Sequence, residues 1–173
     1  GVAKRYAYHL TRMYREAYGM FCSNGILFNH ESPRRSERFL SRKVAVAVAR
    51  IKRGEQQELR VGDLSAQRDW GWAPEYVEAM WRMLQQEEPE DYVIATGKRH
   101  SLEEFVETVF SSVGLNWRDH VILDPTLLRP MDIMAGWGNP AKACGKLGWQ
   151  AQYKMHDVVR MMVETQSTAA AVL

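Results

Sequence analysis

The chain has 173 residues and 20.0 kDa, 46% of them hydrophobic and 25% charged, with 6 Trp, 7 Tyr and 5 Phe; that is bulk enough for the core of one ordinary domain and excludes a wholly disordered or low-complexity chain. No run approaches the ~18 apolar residues of a membrane span, and the two cysteines, Cys22 and Cys144, lack any CxxC spacing and read as reduced thiols of a cytoplasmic protein. The net charge is only +2, yet residues 1–53 hold 12 Lys/Arg against 3 Asp/Glu and residues 54–173 hold 11 against 18, an asymmetry that points to an anionic partner near the first third, either nucleic acid or a phosphorylated small molecule.

Val2, Ala3, Tyr6, Ala7, Leu10, Met13, Tyr14 and Ala17 recur at three- and four-residue steps. They predict an amphipathic helix over residues 1–18, uncapped at its start and stopped by Gly19. The opening Gly-Val-Ala-Lys has no initiator Met and no apolar leader, the expectation for a processed chain or a piece of a longer one. Residues 20–28 read as a buried strand. A basic loop spans residues 34–38, and Phe39, Leu40, Val44, Ala47, Val48 and Ile51 predict a second helix over 39–52, stopped by Gly54. Residues 58–61 read as a strand, and residues 68–72 as a loop into a helix opened by Pro74. That helix, over 74–87, is expected to bury Val77, Met80, Trp81 and Leu84. Residues 92–95 form a further strand, Ser101-Leu102-Glu103-Glu104 is a capping box before a helix ending near Gly114, and residues 120–123 read as a strand. Residues 124–138 are irregular. Asn139-Pro140 opens a short helix, and residues 155–166 form the last one, with a fraying Ala-rich tail. Alternating strands and helices predict an α/β fold with a mostly parallel sheet, without internal repeats or a linker long enough to separate a pair of domains.

Four strings carry more than periodicity: Gly1-Val2-Ala3-Lys4, the run NGILFNHESPRR at residues 24–35, Arg68-Asp69-Trp70-Gly71, and DYVIATG at residues 91–97. Together they closely resemble the carboxyl-terminal half of the GDP-mannose 4,6-dehydratases, of the extended short-chain dehydrogenase/reductase superfamily, over residues 1 to about 165. The resemblance implies the last part of an NAD(P)-binding Rossmann-like fold in residues 1–30. It implies a small α/β nucleotide-sugar-binding region in residues 31–173, with some segments returning to the Rossmann-like part. Lys4 matches the lysine of a Tyr-x-x-x-Lys motif whose tyrosine falls immediately before Gly1; the glycine-rich pyrophosphate loop and the family's Thr and Glu also lie outside these residues. The chain therefore reads as the second half of an enzyme, inactive alone.

In the family's reaction NADP takes a hydride from C4 of the mannose ring and returns it to C6, with loss of water in between. A phenol has a pKa near ~10, so a neighbouring ammonium is needed to hold it ionised near neutrality; the resemblance gives Lys4 that task and contact with the cofactor. It assigns His30 and Arg35 to NADP, Arg35 through a phosphate across a subunit contact. Asn29, Lys43, Arg68 and Arg129 line the GDP-mannose site, guanidinium forks suiting paired phosphate oxygens. Asp132 falls where the family carries Glu, Met134 where it carries Asp, and Ser36 where it carries Gly, so the guanine and ribose contacts and the fine geometry of the basic loop are open. A homo-oligomer, dimer or tetramer, is implied, without nucleic acid, membrane or metal; His30-Glu31 has no second ligand at metal spacing.

Plainer readings of the same residues stay open. Lys4 and Lys43 read as solvated lysines, His30 as a loop histidine bonded to backbone, Arg34, Arg35 and Arg38 as a solvated charge run, and Arg68-Asp69 as a structural ion pair. Trp70, Trp72 and Trp81 read as core. A nucleotide-sugar epimerase or reductase of the same superfamily shares Lys4 and the fold but not the NHESPRR string. A nucleotide- or RNA-binding module could use the basic third, although no aromatic interleaving marks an RNA motif.

Overall fold

The computed structural model describes residues 1–128 and 131–169. Helix α1 (Val2–Tyr18) ends where Gly19 turns left-handed at φ 63°, a conformation cheap only for glycine. After it the described residues form nine short strands and five further α-helices: β1 (Gly25–Leu27), β2 (Asn29–Glu31), α2 (Leu40–Lys52), β3 (Leu59–Val61), β4 (Gln67–Arg68), β5 (Trp70–Trp72), α3 (Ala73–Met83), β6 (Tyr92–Ile94), β7 (His100–Ser101), α4 (Leu102–Ser111), β8 (Val121–Leu123), β9 (Ala135–Gly136), α5 (Ala141–Leu147) and α6 (Met155–Ala169). The predicted α/β class holds. Among the described residues β1–β6, β2–β5, β3–β8 and β4–β9 pair parallel, and only β4–β7 pairs antiparallel. Parallel neighbours from distant stretches of the chain require crossovers, which the intervening helices supply.

The apolar residues divide into two main clusters. Val44, Val48, Leu59, Trp70, Phe105 and Val159 belong to one built from α2, α4, α6, β3 and β5. Tyr76, Met83, Tyr92, Ile94, Leu147 and Trp149 belong to another built around α3, α5 and β6. Ser101 caps α4 as expected, its hydroxyl accepting the Glu104 amide at 3.0 Å.

Three expectations fail. The strand over residues 20–28 is only Gly25–Leu27, and Ile26 is 44% exposed; among the described residues β1 pairs with β6 alone. On α3 the buried residues are Tyr76, Ala79 and Met83, whereas Val77, Met80, Trp81 and Leu84 are all exposed. The helix carries two apolar stripes at helical spacing, and the one with the tyrosine faces β6 and α5. It also ends at Met83, short of residue 87. Trp81 therefore lies outside the core that Trp70 does join. The Ala-rich tail beyond residue 169 lies outside the described residues.

Helix α1 buries none of its side chains, so polar contacts hold it. Arg15 Nη1 donates to Asp91 Oδ1 at 2.8 Å and to the Cys22 carbonyl at 3.1 Å, Asn24 donates its amide to the same Asp91 oxygen at 2.9 Å, and Cys22 Sγ donates to the Thr11 carbonyl. Partial burial opposes ionisation of Asp91, but the hydrogen bonds from Arg15 and from the Asn24 backbone and side chain prevail and hold its carboxyl down at about 2. A carboxyl whose native pKa lies below its unfolded value of about 3.9 stabilises the fold above that value and loses this contribution as pH falls toward 2. Acid titration of the melting temperature should therefore show a loss equivalent to about 2 kcal/mol between roughly pH 5 and pH 2, and Asp91→Asn should remove most of that slope while lowering stability at neutral pH. An unchanged slope in the variant would assign it to other carboxyls.

Candidate functional site

Strand alternation decides what β2 presents. Asn29 and Glu31 share one side and His30 the other, and the structure sends them to different surroundings. Asn29 and Glu31 line a groove of about 840 Å³, with Arg35, Arg38, Lys43, Arg68 and Asp132. That size suits a small organic ligand. Four cationic side chains and three carboxylates (Glu31, Asp63 and Asp132) face it among the described residues, and Phe39, Leu128, Met131 and Met134 give it apolar walls.

Its base is a buried carboxylate. Glu31 is 1% exposed, and Ser41 Oγ donates to its Oε2 at 2.6 Å. Arg35 Nε stands 3.3 Å from that same oxygen as an ion pair rather than an aligned hydrogen bond. Arg35 Nη1 donates to the His30 carbonyl at 3.1 Å, and the guanidinium lies 3.9 Å over the Phe39 ring. A buried carboxylate without such partners would cost several kcal/mol, so Ser41 and Arg35 are the condition for Glu31 to stand there. Ser36, where the resemblance leaves the loop geometry open, causes no strain: no described residue other than glycine has a positive φ, and Ser36 Oγ accepts the Arg38 amide at 3.3 Å.

At the rim, Lys43 Nζ donates to the Arg60 carbonyl at 2.6 Å. Arg68 Nη2 donates to Asp132 Oδ1 at 2.9 Å, and its Nη1 to the Gln67 and Ile133 carbonyls. The shorter acid at position 132 therefore does reach the arginine. The Ser65 amide and hydroxyl hold the Asp63 carboxyl below its ordinary value.

The Arg68–Asp69 ion pair does not form. Asp69 is fully buried and points the other way, accepting from the Thr96 amide (2.9 Å) and hydroxyl (2.7 Å) and from the amides of Gly97 (3.0 Å) and Gly138 (3.5 Å). One carboxylate thus ties the β4–β5 junction to the loop after β6 and to the segment after β9. Gly138 permits this closeness, since a Cβ there would stand 2.5 Å from Ala95 Cβ.

His30 does not enter the groove. Its Nδ1 meets the Phe28 carbonyl at 2.8 Å; a carbonyl only accepts, so Nδ1 carries a proton, and in the neutral imidazole Nε2 is left as the acceptor. Its ring stacks on Tyr76 at 5.0 Å. Tyr76 is wholly buried, its hydroxyl without a hydrogen-bond partner among the described residues. Burial, with the Asp69, Glu75 and Glu31 carboxylates nearby, pushes its ionisation above the ordinary phenol range, so this tyrosine stays neutral and cannot serve as a phenolate base. Lys4 is exposed in the first turn of α1, and no α1 residue lines the groove. Arg129 lies outside the described residues.

The structure thus gathers Asn29, Arg35, Lys43, Arg68 and Asp132, and leaves Lys4 and His30 elsewhere. Sequence reasoning missed Glu31 and Ser41, although Glu31 is two residues from Asn29 on one strand face. It missed the Asp69 clamp and the Arg15–Asp91–Asn24 knot, which join residues distant in sequence.

The architecture is an α/β fold of the Rossmann-type class. It superposes with a TM-score of 0.86 on RMD from Pseudomonas aeruginosa complexed with NADPH, at 22% identity, covering 97% of this chain and 55% of that one. With dTDP-glucose 4,6-dehydratase from Bacillus anthracis in complex with NAD the TM-score is 0.79, at 18% identity, covering 95% and 50%. Within that class the chain belongs to the GDP-mannose 4,6 dehydratase family, whose sequence profile matches residues 1–162. It is 52% identical over 158 residues to GDP-mannose 4,6 dehydratase 2 of Arabidopsis thaliana, covering 91% of this chain and 42% of that protein. Identity with the Homo sapiens GDP-mannose 4,6 dehydratase is 44% over 180 residues, covering 94% and 48%. The chain spans about half the length of the curated relatives it matches.

A Cβ on Gly71 would stand 2.4 Å from Tyr76 Cε2, and the ring cannot retreat because His30 and Trp149 pack against it. Gly71→Ala should therefore cost about 1–3 kcal/mol by overpacking. Chemical denaturation checks this: in the double variant with Tyr76→Leu the two losses should sum to less than their separate values, and strict additivity would show that the crowding is not with Tyr76.

Proposed function

We propose that this chain is the nucleotide-sugar-binding half of an NADP-dependent GDP-mannose 4,6-dehydratase, acting on GDP-mannose to give GDP-4-keto-6-deoxymannose and water. The observation that carries the reading is the groove itself: an arginine fork on β4, with Lys43 and Arg38 beside it, set around apolar walls in a chain of this family. A diphosphate needs paired donors, a purine needs flat apolar cover, and a hexose needs a carboxylate or amide to accept its hydroxyls. Arg68, the side chains about Phe39 and Met131, and Asn29 with Glu31 supply these in turn.

The groove keeps Arg68 aimed through an anion of its own. Asp132 and two carbonyls fix the guanidinium, so little side-chain entropy is lost when phosphate oxygens replace the carboxylate. Lys43 stands on the facing helix as a second charge, and Arg129 joins this set in the proposal. Residues 1–30 contribute the closing portion of the Rossmann-like layer, and residues 31–169 mainly the substrate region.

Bound NADP supplies reversible hydride acceptance. The chemistry of this chain's residues fits such a group: His30 Nε2 could accept a ribose hydroxyl, Arg35 would offer a guanidinium to a phosphate, and the Lys4 ammonium would favour the ionised form of a tyrosine placed one helical turn before it. These 173 residues contain Lys4 without that tyrosine, so no dehydration is expected from them alone. In the intact enzyme a homo-oligomer would bring Arg35 to a neighbour's cofactor. The RNA-binding alternative gains no support from the groove: of the two aromatic side chains that line it, Trp70 is buried in the core and Phe39 carries Arg35 over one face, so no row of stacking platforms is offered.

Calorimetric titration of GDP onto the chain tests the reading. One molecule should bind per chain, and Arg68→Ala should weaken it roughly 10- to 150-fold, the loss of one charge-assisted contact of about 1.5–3 kcal/mol, with little change in melting temperature. Asp69→Ala should instead lower the melting temperature sharply by orphaning buried amides. Unchanged GDP affinity in Arg68→Ala would remove it from the site.

A further inference from the structure

Outside the groove, one cluster of side chains has no role in the chemistry above. His100 on β7, Glu104 in the first turn of α4 and His156 at the start of α6 come together although 52 residues separate Glu104 from His156. His100 Nδ1 lies 2.8 Å from Glu104 Oε1, and His156 Nε2 lies 3.8 Å from the same oxygen. One ligand atom from each residue falls within 4.8 Å of the others. We propose that His100, Glu104 and His156 form a binding site for a divalent transition-metal ion of the zinc type, which staples β7, α4 and α6 together.

Four observations carry this. First, the ligand set is right for such an ion: two imidazoles and a carboxylate, with solvent free to complete a tetrahedron, since His156 and Glu104 side chains are 62% and 42% exposed. Second, the spacing is near that of a site. Ligands about 2.1 Å from a tetrahedral ion stand about 3.4 Å apart, a value between the two separations that share Glu104 Oε1, and the two imidazole nitrogens lie within 4.8 Å, so the side chains need only draw together by rotation.

Third, the far side of the His100 ring is unanchored. Glu104 anchors its Nδ1, while its Nε2 is buried and has no hydrogen-bond partner among the described residues, so no competing bond there resists reorientation of the ring. Fourth, Glu104 does not close the capping box its sequence position offers. Its amide takes the Ser101 hydroxyl, while its carboxylate is turned to the two histidines.

The frame beneath is rigid. Phe105 next to Glu104, and Met155 beside His156, are buried members of one core cluster, and Thr108 Oγ1 donates to the Glu104 carbonyl. Pre-placed ligands on packed helices lower the cost of ordering that weakens most surface sites. The position has a consequence for the groove too: His100 is the cross-strand register partner of Arg68, so an ion here braces the strand beside the arginine.

The test uses the purified chain, cleared with chelator and titrated with ZnCl2 by calorimetry and with CoCl2 by visible absorption. One ion per chain should bind with micromolar affinity, raise the melting temperature, and give the ligand-field band of four-coordinate cobalt. His156→Ala removes an exposed side chain and should leave the metal-free melting temperature within a few degrees, yet weaken binding about tenfold or more, the scale of losing a ligand or its support. Glu104→Gln should do likewise. Absence of saturable binding, affinity unchanged in both variants, or a thiolate-to-cobalt charge-transfer band assigning the ion to Cys22 or Cys144 would each overturn the proposal.

Discussion

A single buried carboxylate holds the site half of this molecule together. Asp69 is wholly withdrawn from water and accepts four hydrogen bonds that join three segments distant in sequence: the Thr96–Gly97 turn, Gly138, and its own position between β4 and β5. A buried charge is tolerated only when its oxygens are saturated by donors. The requirement runs both ways, because the amides of 96, 97 and 138 also need an acceptor. Arg68 on one side of Asp69 then projects into the groove, and Trp70 on the other enters the core, so the strand pair is fixed in register and in facing. Glu31 repeats the same device at the base of the groove with Ser41 and Arg35. Two buried carboxylates held by donors, rather than a continuous apolar floor, set the shape of the site.

The charge asymmetry of the sequence divides once the chain folds. Arg35, Arg38 and Lys43 from the basic third turn into the groove, where an anion can use them. Lys4, Arg5 and Arg12 remain on a helix that buries nothing, and Arg15 is spent on Asp91. Net charge over a third of the chain thus gives the sign of a partner and not its place. The placing comes from the β2 register and from the turn that swings Arg35 back beneath β2.

Much of the fold was legible. The helix over residues 1–18, its stop at Gly19, the Ser101 cap and the parallel character of the strands all follow from local rules, because capping and left-handed glycines are decided within one turn of chain. Asn29, Lys43, Arg68 and Asp132 were legible through the resemblance to the family and do share one groove, which Arg35, expected at the cofactor, also lines. What was not legible is non-local. On α3 two apolar stripes have the same period, and only the position of β6 and α5 selects Tyr76, Ala79 and Met83 over Val77, Met80, Trp81 and Leu84. Asp69 beside Arg68 looks like an ion pair in sequence, yet adjacent residues on a strand point to opposite faces. The His100–Glu104–His156 cluster needs α6 folded onto α4, which no spacing announces.

We propose that the cation-lined groove, held by Asp69 and Glu31, is where a guanosine diphosphate group binds. Amide hydrogen exchange measured with and without saturating GDP reads this directly on the intact chain. The account predicts slowed exchange over residues 29–43, 59–68 and 131–136, with α1 unaffected. Slowing confined to α1, or none over the groove-lining segments at a saturating concentration, would contradict it.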